Sequence, residues 1–155
     1  MPRQSSEFLR HIRALHEAPA KPPEKKPLAE ILRSGTSAEK QRAVTEIISS
    51  RQLFELDSTS RISILVGLEQ IASHSSNTAE REQAVNAFLR FTEDPDVKIR
   101  RNVARFFAEL GFAPFWSEAT RNNVCSGLTR LKADKDSKTR LAARKAFLLI
   151  FEGEF

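Results

Sequence analysis

The feature that most constrains this chain is a recurrence. The pattern Asp-x-x-x-Arg appears at Asp57/Arg61, Asp96/Arg100 and Asp136/Arg140, with successive copies 39 and 40 residues apart. Counting from each Arg, the third, seventh and tenth residues are Ile64/Leu68/Ile71, Val103/Phe107/Leu110 and Ala143/Phe147/Ile150, and all are apolar. Positions i, i+4 and i+7 share one helical face, so each copy predicts an amphipathic helix opened by a carboxylate that satisfies free N–H groups. In the middle copy Gly111 follows the last apolar position, where a residue without Cβ ends a helix most cheaply.

A second helical pattern precedes each copy. Ala38-Glu39-Lys40-Gln41-Arg42-Ala43-Val44 resembles Ala79-Glu80-Arg81-Glu82-Gln83-Ala84-Val85, and residues 116–131 place Val124 and Leu128 where that second copy has Val85 and Leu89. Two helices per unit at a period near 40 predict an all-α chain, a short α-α superhelix of about three helical hairpins. The expected helices are 37–49, 58–72, 79–91 behind Thr78, 94–110, 117–131 and a last one from Asp134 or Asp136 to about Phe151. Residues 28–32 add a short apolar turn, and Leu53, Phe54 and Leu56 an apolar connector.

Asp94-Pro95-Asp96-Val97-Lys98-Ile99-Arg100, followed by Ala104 and Leu110-Gly111, resembles the second helix of a HEAT repeat, a member of the armadillo-like α-solenoids. The resemblance spans residues 37–151, good in the middle copy, fair in the last and weak in the first. It implies stacked hairpins whose second helices line a concave side, in scaffolds and adaptors that bind partners. It also implies that Asp96, Arg100, Asp136 and Arg140 form a structural ladder between adjacent copies.

The domain reading is a basic, Pro-rich segment over 1–27 and a repeat domain over 28–155. Residues 5–16 place Phe8, Leu9, Ile12 and Leu15 on one side of a short helix, and residues 18–27 carry four prolines and three lysines, a composition that stays extended. This helix either caps the first repeat or docks on a partner or a second copy. The net charge is +5, built from +3 over residues 1–26, −3 over 27–95 and +5 over 96–155. An acidic middle beside a basic end suits electrostatic orientation of a partner. No apolar run approaches the ~18 residues of a membrane span. A single cysteine and no visible secretory signal make a cytoplasmic protein the expectation.

No residue constellation predicts catalysis. His11, His16 and His74 have no ligand partners at metal spacing, Cys125 reads as a small core residue, and no metal or cofactor is expected. The resemblance leaves a DNA glycosylase or bilin lyase relative as the enzymatic alternative. On a helical wheel Lys98, Arg101 and Arg105 fall nearly opposite the apolar stripe, and Lys138 and Lys145 take the matching places in the next copy. This basic stripe suits an acidic protein segment, with nucleic acid as the alternative; the phenylalanines fall at core positions, which favours protein. Phe112, Phe115 and Trp116 cluster at a turn, packed over helix ends or exposed as an anchor. The last helix is apolar nearly all round, so Leu148, Leu149 and Phe151 are expected to meet another protein or a second copy.

Overall fold

The computed structural model describes residues 26–111, 113 and 116–152. The predicted helix over 5–16 and its Pro-rich tether, with His11 and His16, lie outside the described residues, as do Phe112 and Phe115. Among the described residues the fold is all-helical: α1 (Leu28–Ser34), α2 (Ser37–Ser49), α3 (Ser58–His74), α4 (Thr78–Phe88), α5 (Val97–Leu110), α6 (Glu118–Lys132) and α7 (Ser137–Phe151). Two 3-10 segments, Leu53–Glu55 and Leu89–Glu93, connect them.

Helix starts follow the capping chemistry of the sequence. Thr36 and Glu39 form a reciprocal capping box at α2, while Asp57, Asp96, Ser117 and Asp136 each accept a backbone N–H in the first turn of α3, α5, α6 and α7. Two expectations shift. Asn77, and not Thr78, caps α4, and that helix ends at Phe88 instead of continuing to Phe91. The Thr92 hydroxyl donates to the Leu89 carbonyl at 2.8 Å, and the chain tightens there into a 3-10 turn. At the end of α5, Gly111 adopts φ +65°, the stop predicted for it.

Each helix packs against the helix two places along: α1 on α3, α3 on α5, α5 on α7, and likewise α2 on α4 and α4 on α6. α1 comes close to α3 because position 67 is glycine; a Cβ there would stand 2.7 Å from that of Leu32. Between the odd and even helices runs one core. Phe88, Phe91, Phe107, Ile64, Leu68, Ile99, Val103, Leu128 and Leu131 are fully buried in it. Of the nine apolar positions counted from the sequence, Leu110 and Phe147 are half-buried and the rest are buried.

At the centre Phe88 meets Phe106 at 4.5 Å and Phe107 edge-on at 5.8 Å between ring centroids, and Phe107 meets Trp116 edge-on at 6.4 Å. Trp116 is therefore a buried packing residue and not an exposed anchor. Cys125 is only half-buried, at the margin of the core it was expected to enter. Phe107→Ala removes a fully buried ring from this cluster and is expected to destabilise the fold by ~3–5 kcal/mol in urea titration. An unchanged midpoint would mean that Phe107 does not hold these helices together.

Candidate functional site: the outer face of α3, α5 and α7

The odd-numbered helices are keyed to one another by ion pairs. Arg61 of α3 grips Asp94, just ahead of α5, through Nε–Oδ2 at 2.9 Å and Nη2–Oδ1 at 3.2 Å. Arg100 of α5 grips Asp134, just ahead of α7, at 2.8 and 3.3 Å in the same two-pronged way. Each carboxylate also accepts the N–H two residues on, Asp96 at 2.8 Å and Asp136 at 2.9 Å. This fixes the turn that launches the next helix.

The ladder expected from the resemblance is therefore corrected. Asp94 and Asp134 are its carboxylates, because Asp96 is turned onto the Lys98 N–H as a helix cap. Asp136 caps α7 through Thr139 and at the same time receives both prongs of Arg101 at 3.1 Å. Arg140 reaches only backbone carbonyls, those of Asp134 and Lys135. The doublets Asp94-x-Asp96 and Asp134-x-Asp136 carried this signal in the sequence: the second Asp of each caps, and the first is free to face the preceding helix.

The even-numbered helices are joined by polar bridges. The Ser37 hydroxyl donates to Glu80, the Ser117 N–H donates to Glu82 at 2.6 Å, and the Asn86 amide donates to the Thr120 hydroxyl at 3.1 Å. Burial pushes the Glu82 carboxyl up, but the bonds from Ser117 and Thr120 outweigh it and leave the group below the usual carboxylate value.

The opposite, outer face of the odd helices carries the candidate site. Ile62 and Val66 of α3 are 37% and 49% exposed and line a groove against α1 of about 730 Å³. A second groove, of about 490 Å³, runs between α5 and α7. Its floor is half-buried Ala108 and Ala142, and its edge carries exposed Leu141, Arg105, Lys138 and Lys145 with Glu109 at one side. Glu109 also faces Glu69, whose carboxyl is raised by burial and by that neighbouring charge. The face thus runs from an apolar groove, past an acidic boundary, to a basic one.

The structure brings together three of the five stripe residues: Arg105, Lys138 and Lys145. Lys98 is exposed in the first turn of α5 but does not line the groove. Arg101 leaves the stripe, since its guanidinium is half-buried against Asp136. Leu148 is 49% exposed and Leu149 half-buried. Phe151 instead packs inward, its ring 5.0 Å from that of Phe147. Leu141, at 69% the most exposed large apolar side chain described, is the residue that the sequence reading missed. It stands 40 residues after Arg101 in a position that the wheel assigned to a charge.

His74 is exposed. Among the described residues, no group of three His, Cys, Asp or Glu side chains could hold a metal ion, and no helix is long and apolar enough to cross a membrane. Comparison with family models, with curated proteins and with solved structures returns no match.

The pair that sets the α5–α7 spacing has a pH signature. Burial raises the Asp134 carboxyl, but the Arg100 hydrogen bonds and the Asp136 N–H outweigh it, so the folded group lies below its ordinary value of 3.8. A depressed folded value stabilises the fold above about pH 4 and is lost as pH falls through that lower value. Asp134→Asn is therefore expected to lower the melting temperature at pH 7 and to flatten its fall below about pH 4. An acid limb identical to that of the parent chain would contradict this.

Proposed function

We propose that the chain is a non-enzymatic binding module, a short superhelix of about three HEAT-like hairpins that serves as an adaptor or scaffold. Next-but-one helix packing and the inter-helix Arg–Asp pairs support the stacked reading. The odd helices form its binding face. The α5–α7 groove takes an acidic segment of another protein that carries apolar side chains.

The observation that carries this reading is the make-up of that groove: Arg105, Lys138 and Lys145 around a floor of Ala108 and Ala142, with exposed Leu141 at the edge. Cations alone would serve a nucleic-acid backbone equally well. An apolar floor between them serves a peptide, whose alternate side chains enter it while carboxylates meet the rim. Single-stranded nucleic acid bound without base readout is held in large part by stacking on exposed aromatic rings. Phe88, Phe91, Phe106 and Phe107 are buried in the core instead.

The test is fluorescence anisotropy with two probes, a labelled peptide alternating Glu and Leu and a short labelled DNA duplex. The peptide is expected to bind and to keep most of its affinity when salt rises from about 50 to about 200 mM, where a phosphate-driven complex loses orders of magnitude. The triple variant R105E/K138E/K145E should weaken the peptide by at least about tenfold, as reversal of three rim charges implies. A duplex that binds with a steep, log-linear salt dependence, while the peptide does not bind, would transfer the function to nucleic acid.

A further inference from the structure

α1 is too short to cover the flank of α3. α3 has 17 residues and α1, packed beside it, has 7. At a rise of 1.5 Å per residue, about 10 Å of helix lies against about 25 Å. α5 and α7, which pack in the same way, have 14 and 15 residues. Leu32 is the buried residue of α1, seated at Gly67. Ile62 and Val66 stay exposed and, with Ala29 and Leu32, make the apolar part of the groove between the two helices. Counted from the ladder residues Arg61 and Arg100, the corresponding positions of α5 are Arg101 and Arg105. Two branched apolar side chains thus stand on α3 where α5 carries charge.

The chain carries a segment that fits this gap. Residues 5–16 place Phe8, Ile12 and Leu15 on one side with Leu9 beside them, and a helix of that span is about 18 Å long. Residues 17–27 join it to α1, and extended at about 3.1 Å per residue they reach about 34 Å. The groove borders α1 itself, so that reach is ample. A tether this short also holds the segment near its own chain at a millimolar effective concentration, which favours it over a second copy. Charge agrees. One turn past Val66 stands Glu69, which faces Glu109, and neither carboxylate meets a cation among the described residues. Residues 1–26 carry a net +3, and Arg13 stands one turn after Leu9 at the border of the apolar side. Of the groove's cations, Lys40 and His74 lie at the end of α3 with Glu80.

We propose that residues 5–16 dock as a helix on their own chain, along the groove between α1 and α3. Phe8, Leu9, Ile12 and Leu15 cover Ile62 and Val66, and Arg13 meets Glu69 and Glu109. The docked segment completes the flank that α1 leaves open. The proposal does not depend on what the α5–α7 groove binds. None of Arg105, Lys138 and Lys145 takes part, so loss of peptide binding and loss of docking are separate results.

The experiment is disulfide trapping in the full chain carrying C125S, so that the introduced thiols are the only ones. I12C/V66C is compared with I12C/Q83C, whose second thiol stands on the exposed side of α4. Oxidation is run at about 1 µM, far below the effective concentration of a tethered segment. I12C/V66C is expected to close within one chain at least about tenfold faster than I12C/Q83C, since docking raises the local concentration at one thiol and not the other. Adding L9D/L15D should slow it to the rate of I12C/Q83C. Adding R13E should slow it about threefold, the scale of a surface ion pair. Circular dichroism establishes that each variant is folded, and Val66 and Gln83 are exposed side chains. Equal rates for the two pairs, or a fast rate that survives L9D/L15D, would overturn the proposal. A disulfide between two chains, seen as a dimer on a non-reducing gel, would overturn it by placing the segment on a second copy. A rate unchanged by R13E would overturn the part given to Arg13.

Discussion

The rest of the structure depends on one buried ion pair. Arg61 and Asp94 are 6% and 1% exposed, and neither charge would be tolerated there alone. Only one placement of α5 against α3 lets both prongs of the guanidinium meet the carboxylate while the Arg61 Nη1 keeps the Leu56 carbonyl. The apolar core resists a slip through its packing, although Ile, Val and Phe contacts are not directional. The pair cannot slide, because a slip strands a charge in the interior. Arg100 and Asp134 repeat the arrangement between α5 and α7 nearer the surface, and so set the width of the groove between those helices.

This economy of carboxylates shapes the outer surface. Asp57, Asp96 and Asp136 cap helices, Asp94 and Asp134 form rungs, and Glu80 and Glu82 bridge the even helices. The acids of α3 to α7 are largely committed to internal bonds at helix starts. Arg105, Lys138, Arg144 and Lys145 are exposed and make no such bond among the described residues. The positive charge of the last third of the chain is thus spatially concentrated, beyond what a count of +5 conveys. Arg90 and Arg130 are exceptions of the same kind: Arg90 caps the end of α2 on the Ile47 carbonyl at 2.8 Å, and Arg130 reaches the Thr92 hydroxyl at 2.9 Å.

Much of this was legible because the relevant signals are local. Helical periodicity located the core faces of α3, α5 and α7, and Gly111 located the end of α5. What a wheel cannot show is the turn ahead of a helix. Asp94 and Asp96 look interchangeable as caps until the turn directs one back to α3 and the other forward along α5. The same blindness put Arg101 with Arg105 in the stripe. They are one turn apart on one helix, but Arg101 lies within reach of the Asp136 that starts α7, and Arg105 lies beyond it. Leu141 was missed because its exposure depends on what packs beside α7, which is a tertiary fact. Phe151 was assigned outward for the converse reason, since its ring finds Phe147 one turn back.

The measurement that tests the account most directly is a double-mutant cycle on the central rung. Arg61→Met, Asp94→Asn and the pair together would be compared with the parent chain by urea unfolding at pH 7. If the pair keys α5 to α3, each single change strands a partner, and the double change is far less damaging than their sum. The coupling is then expected in the upper part of the ~0.5–3 kcal/mol range for residues in contact. A coupling near zero, with the single effects simply adding, would mean that the core alone sets the register and that the rungs are passengers.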